Sequence, residues 1–272
     1  MTEINERAIE TDRGRVAYLE AGAGWPVVLI HAFPLAAEMW RPQLERVPMG
    51  SWFIAPDLRG FGRSPLSAIG SRPITIDDYA EDVGALMDAL EIESATIGGL
   101  SMGGYVTLAM HRQSPERFNG MVLADTKSQA DTPQGREGRV RLREALAAGG
   151  PRAVADQMLP MLLAGIARDD TPGADARVRA IIEAASPDGI DAAIGALIER
   201  PDATSGLAAI SCATFVVVGE HDEITPVAAA ESMQRAIARS TLTVIPRAGH
   251  LSNIDQPAAF SQALDDFVRS HL

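Results

Sequence analysis

The sequence predicts an α/β fold, a mostly parallel central sheet flanked by helices, with a helical insertion past the middle of the chain. Three observations predict it. Short runs of β-branched and other apolar residues recur at 27–30, 52–55, 95–98, 121–123, 215–218 and 242–245, and their continuity suits strands buried on both faces. Helical patterns lie between several of these runs, and strands alternating with helices imply a parallel sheet. The alternation stops after Ala124 and resumes near Cys212, across a stretch rich in Ala, Leu, Arg and Glu.

The elements follow in order. Asp12-Arg13-Gly14 separates two strand-like runs, 6–11 and 15–20, which read as an antiparallel hairpin ahead of the parallel strands. Gly22-Ala23-Gly24 turns the chain into the run 27–30, and 52–55 follows. Thr75-x-x-Asp78 is a helix start signal, after which Tyr79, Val83, Leu86, Met87 and Leu90 keep helical spacing. The run 95–98 leads through a glycine-rich turn into a helix over 104–112, and 121–123 is the next strand. Breaks at Gly149-Gly150-Pro151, Thr171-Pro172-Gly173 and Ser186-Pro187 divide the insertion into three or four helices. Helices inserted between two parallel strands are expected to cap the sheet's C-terminal edge, where open α/β sheets bind ligands. The expected organisation is a core of residues 1–126 and 207–272 with a cap of 127–206. Strands at 215–218 and 242–245 complete the sheet, and Phe260, Leu264, Phe267 and Val268 mark a last helix after Pro257.

Bulk properties narrow the function. At 272 residues the chain holds one large domain, and 46% hydrophobic with 22% charged residues is ordinary for a soluble protein. No apolar run is long enough to span a membrane and the first ten residues contain no secretory h-region, so a cytoplasmic location is expected. A net charge of −12 argues against nucleic acid or an anionic membrane as partner. Such an acidic surface mainly favours solubility. Cys212 is the single cysteine, expected as a buried apolar residue, and no Cys/His cluster has zinc spacing. No glycine-rich phosphate loop with a following Lys is present.

Gly99-Leu100-Ser101-Met102-Gly103 lies between a predicted strand and a predicted helix. A serine held on such a sharp turn is exposed for attack, and glycines two residues either side relieve the crowding. A serine hydroxyl needs a base to take its proton and a third group to orient that base. Of five histidines, His111 and His271 are expected in solvent, His221 adjoins a candidate acid and His31 ends a strand. His250 follows the last strand, at the sheet edge that holds Ser101, and is the best base. Asp222 directly follows the run 215–218 at the same edge, giving the order Ser, Asp, His. Asp125, after 121–123, competes for the same role.

These motifs together resemble the α/β-hydrolase superfamily over nearly the whole chain. His31-Ala32-Phe33-Pro34 is similar to its oxyanion loop, with Ala32 where the family usually has Gly, and 57–64 to its Arg-Gly-rich loop. The resemblance implies oxyanion donors at the backbone N–H groups of Phe33 and Met102, since Pro34 has none. Asp57 and Arg59 read best as a brace for their loop, and Met158, Leu159, Met161 and Leu162 equally as packing or as pocket wall. The expected activity is hydrolysis of a small carboxylic ester or lactone through an acyl-enzyme on Ser101, with water as acceptor and neither metal nor organic cofactor. Carbon–carbon bond hydrolysis and perhydrolysis stay open within the same resemblance. A small-molecule receptor with a retained triad is the alternative of another class. Acyl group, pathway and oligomeric state are not readable from the sequence.

Overall fold

The computed structural model describes residues 2–66, 72–167 and 170–270. Strand β1 (Ile4–Thr11) turns through Asp12 and Arg13 into β2 (Gly14–Gly22), the antiparallel hairpin the sequence predicts. One residue, Ala23, separates β2 from β3 (Gly24–Ile30); the short helix α1 (Arg41–Leu44) then leads to β4 (Gly50–Pro56). Helix α2 (Ile76–Ala89) starts in a capping box: the Asp78 N–H donates to Thr75 Oγ1 at 3.3 Å and the Thr75 N–H to Asp78 Oδ2 at 2.8 Å, satisfying two otherwise orphaned donors.

Strand β5 (Ala95–Leu100) passes into α3 (Met102–Gln113), two residues earlier than the predicted start, and β6 (Phe118–Ala124) follows. Next come α4 (Pro133–Leu162), α5 (Ala174–Glu183) and α6 (Pro187–Ile198). The predicted breaks are visible. α4 is two helical arms meeting at Gly150, whose φ of 65° is left-handed, α5 begins after left-handed Gly173, and α6 is capped by the Ser186 hydroxyl with Pro187 in the first turn. Strand β7 (Ala213–Gly219), α7 (Val227–Ala236), β8 (Ser240–Ile245), α8 (Ser252–Asp255) and α9 (Pro257–Arg269) complete the chain.

The sheet order is β1-β2-β4-β3-β5-β6-β7-β8, antiparallel from β1 to β4 and parallel from β4 to β8. β5, β6 and β7 are buried almost throughout and β3 from Val27 onward, as continuous apolar runs require. β8 corrects the expectation of strands buried on both faces: as the sheet's edge it is half-buried or exposed at every residue but Ile245. Helix α3 lies over β3, β5 and β6 and packs on α2, while α9 packs on α1 and α8. Phe267 of α9 stacks on Phe215 of β7, their centroids 5.5 Å apart. No helix among the described residues is long and apolar enough to cross a membrane.

The helices between β6 and β7 are joined to the loops at the C-terminal edge by backbone contacts. The Leu251 N–H donates to Leu162 O at 2.9 Å, and a Cβ added at Gly189, in the first turn of α6, would lie 2.0 Å from Gly60 O. Asp255 receives the N–H groups of Ala164 and Gly249 at 2.9 and 2.7 Å.

Candidate active site

Ser101 sits between β5 and α3 with φ 55° and ψ −112°, a conformation that costs an L-residue energy and persists only where its surroundings impose it. Its neighbours show what imposes it. A Cβ at Gly99 would lie 2.4 Å from the Gly103 carbonyl carbon, and one at Gly103 would lie 2.2 Å from Ile30 O. The first turn of α3 is thus pressed backbone to backbone against the ends of β5 and β3. Gly103→Ala is expected to lower stability by on the order of 3 kcal/mol, read by urea denaturation; a variant as stable as the wild type would contradict this close approach.

That contact also places residues 31–34 beside the Ser101 turn. Leu35 N–H donates to Ala32 O at 2.8 Å and Ala32 N–H to Met39 Sδ at 3.1 Å. Neither the Phe33 nor the Met102 N–H has a hydrogen-bond acceptor among the described residues, although both residues are buried. Buried backbone donors are rarely left unpaired, and these two lie after β3 and at the start of α3, segments that the Gly103–Ile30 approach brings together.

Across the sheet, Asp222 follows β7 and His250 follows β8. His250 Nδ1 lies 2.9 Å from Asp222 Oδ2 and 3.0 Å from Oδ1. The carboxylate is braced in turn. Oδ1 accepts from the N–H groups of Ile224 and Thr225, both at 2.9 Å, and Oδ2 from the Thr225 hydroxyl at 2.6 Å. Burial pushes the Asp222 carboxyl up, but the His250 ring beside it and the Thr225 donors outweigh that and hold it below the usual carboxylate range. With Nδ1 committed to Asp222, Nε2 has no hydrogen bond among the described residues. Among the described residues no hydrogen bond joins Ser101 Oγ to His250, a contact that many hydrolytic sites close only around substrate.

Asp125, the competing acid, is engaged elsewhere. Its Oδ1 accepts from the Gly219 N–H at 2.8 Å and its Oδ2 from the Ser252 hydroxyl at 2.5 Å, tying the ends of β6 and β7 to α8. Full burial first, and the Asp222 charge second, push its carboxyl well above the usual range. No hydrogen bond joins it to His250 among the described residues.

The remaining histidines divide differently from expectation. His31 is buried. It accepts the Leu58 N–H on Nε2 at 3.0 Å and meets the Phe61 ring at 5.3 Å, and burial lowers it to about 4, so a neutral ring holds the loop 57–64 against residues 31–34. His111 is not in solvent but buried, its ring against Phe118 at 5.1 Å, because the last turn of α3 packs on the start of β6. His221 is exposed, and His271 lies outside the described residues. Asp57 takes the N–H groups of Ala37 and Arg63, and Arg59 pairs with Asp82 at 2.5 Å, both bracing the loop. Met158 and Leu162 are buried, Leu159 is half-buried and Met161 is exposed. Cys212 is half-buried rather than fully buried, since it lies in the turn entering β7. Among the described residues no group of three or more His, Cys, Asp or Glu side chains is placed to hold a metal ion.

Residues 26–257 match the sequence profile of the alpha/beta hydrolase fold family. The chain belongs to that family. A 3-oxoadipate enol-lactonase of Acinetobacter baylyi is 31% identical to this hydrolase over 233 residues, 85% of this chain and 84% of the lactonase. An esterase of Thermogutta terrifontis, solved with malate bound, superposes with a TM-score of 0.91 at 36% identity, covering 98% of this chain and all of the esterase. An enol-lactonase of Burkholderia xenovorans gives a TM-score of 0.88 at 25% identity, covering 97% of this chain and all of that one. Thr225 and Ser252 are not marked as site residues by the motifs above; Asp222-x-x-Thr225 is a local turn pattern that signals the first, whereas Ser252 reaches Asp125 only through the fold.

Proposed function

We propose that this hydrolase cleaves a small carboxylic ester or lactone through an acyl-enzyme on Ser101. The observation that carries the reading is the conjunction at one sheet edge of a serine on a strained turn with a histidine whose Nδ1 is held 2.9 Å from a braced carboxylate. The lactonase and esterase activities of the relatives support the choice of substrate.

Each residue then has one task. His250 Nε2 takes the Ser101 proton as Oγ attacks the carbonyl carbon, and Asp222 stabilises the imidazolium that forms. The Phe33 and Met102 N–H groups receive the oxyanion, fixed donors aimed where charge develops. His250 returns the proton to the leaving alcohol, and the same steps with water as nucleophile release the acid and free Ser101. The helices of residues 127–206 act as the cap that bounds the substrate.

Phe33→Pro tests the backbone donor, because proline removes the N–H. It is expected to cut kcat about 100-fold or more, while Phe33→Leu keeps most of it. Equal losses in folded variants, measured with a short-chain nitrophenyl ester, would remove Phe33 from the oxyanion site.

A further inference from the structure

We infer that the substrate carries a carboxylate, received by Arg139 and Arg200 beside the nucleophile turn. The inference rests on the ester or lactone reading and specifies its substrate class. It starts from a charge imbalance. The chain carries a net charge of −12, yet Lys127, Arg139 and Arg200 converge on one carboxylate, Asp131, at 3.6, 3.2 and 3.3 Å. Among the described residues these three cations have no other ion pair, which leaves an excess of two positive charges.

Burial makes the excess significant. The Arg200 side chain is 3% exposed and Asp131's is 4% exposed, and a buried guanidinium is costly unless its charge and donors are met. They are met in part: Arg200 also donates to Gln129 O at 2.6 Å, but its Nε is buried with no hydrogen-bond partner. Asp202, the nearby acid of the same loop, is exposed and accepts the Thr204 and Ala130 N–H groups. Burial lowers the Lys127 ammonium, and the two arginines add to that against Asp131.

The position of the cluster links it to the reaction. Arg200 lies 3.8 Å from the centre of the Tyr105 ring and Arg139 5.9 Å from that of Phe33. Tyr105 is one helical turn past the nucleophile, its N–H directed at Ser101 O at 3.2 Å, and Phe33 is the oxyanion residue of the proposed mechanism. The Arg200 guanidinium thus lies close over the Tyr105 ring and that of Arg139 farther out over Phe33, on the two segments that flank the reacting carbonyl in the proposed mechanism, and paired guanidinium groups suit a planar carboxylate. Burial raises the Tyr105 hydroxyl while Arg200 and then Arg139 oppose it, so a neutral phenol and two cations line the subsite. A carboxylate there supplies the missing counter-charge, and the energy of that remote contact can position the ester.

The test compares monomethyl with dimethyl esters of succinate, glutarate and adipate, matched in acyl length and different in charge. Wild type is expected to show kcat/KM higher for the half-esters by about tenfold or more, shrinking with added salt. Arg139→Gln and Arg200→Gln should each reduce that ratio about tenfold, and Arg139→Lys should retain part of it; the ratio is taken within each variant, so a loss shared by both esters cancels. Ser101→Ala separates the two readings. If it abolishes turnover but wild type shows no preference for the half-ester, or the preference survives both Gln variants, the subsite is overturned and the hydrolase reading stands. If wild type turns over neither these esters nor a short-chain nitrophenyl ester and takes no fluorophosphonate label, the hydrolase reading has failed, and calorimetry with glutarate decides the subsite: binding that is lost in Arg200→Gln supports it, and no binding overturns it.

Discussion

Asp222→Asn is expected to lower kcat by up to about 10⁴-fold while leaving the fold intact, because the amide cannot hold the His250 tautomer or stabilise the imidazolium. The geometry gives the loss its specificity. Asp222 is the carboxylate 2.9 Å from Nδ1, and the N–H groups of Ile224 and Thr225 still fit an amide oxygen at Oδ1. Asp125→Asn is expected to change kcat little, since Asp125 bridges Gly219 and Ser252 and an amide of the same shape can keep both contacts. Asp125→Ala should cost about 2 to 4 kcal/mol of stability instead, as two buried donors lose their acceptor. Kinetics and thermal melts on the three variants check the division. A crippled Asp125→Asn beside a near-normal Asp222→Asn would reverse the assignment of the acid.

Ser101→Ala should remove turnover by about 10⁴-fold or more, leaving only the rate that the oxyanion donors and binding provide. Alanine keeps a Cβ at the same φ of 55°, so the strain of the turn persists and stability should be near wild type. Ser101→Gly, equally inactive, should be more stable by on the order of 1 kcal/mol, since glycine adopts positive φ without penalty. Denaturation of the two variants checks this. Equal stability would mean that the turn stores no strain at Ser101.

The parts of the site that the sequence shows are those written in short stretches of chain. The elbow is legible because Gly99 and Gly103 must be glycine for contacts made within five residues and with the adjacent strand, and the start of α2 is legible because its capping box spans four residues. Asp222 and His250 are legible by position, each following a strand at one edge. What is not legible depends on distant partners. His111 is polar and ends a helix, which reads as solvated, yet Phe118 covers it. Asp125 resembles a catalytic acid in sequence, and only the Gly219 and Ser252 contacts show it bracing the edge. The strand 242–245 is apolar like its neighbours, and nothing local marks it as the last in the sheet. The cluster of Lys127, Asp131, Arg139 and Arg200 is drawn from both ends of the helical segment, so no spacing along the chain reveals it.

Covalent trapping shows whether Ser101 is a nucleophile activated by His250 and Asp222. A fluorophosphonate probe reacts readily only with a serine that has both a base and oxyanion donors beside it. Mass mapping after labelling is predicted to find one adduct, on Ser101, formed far more slowly in Asp222→Asn and absent in Ser101→Ala. An adduct on another residue, or labelling that persists in Ser101→Ala, would contradict that role for Ser101.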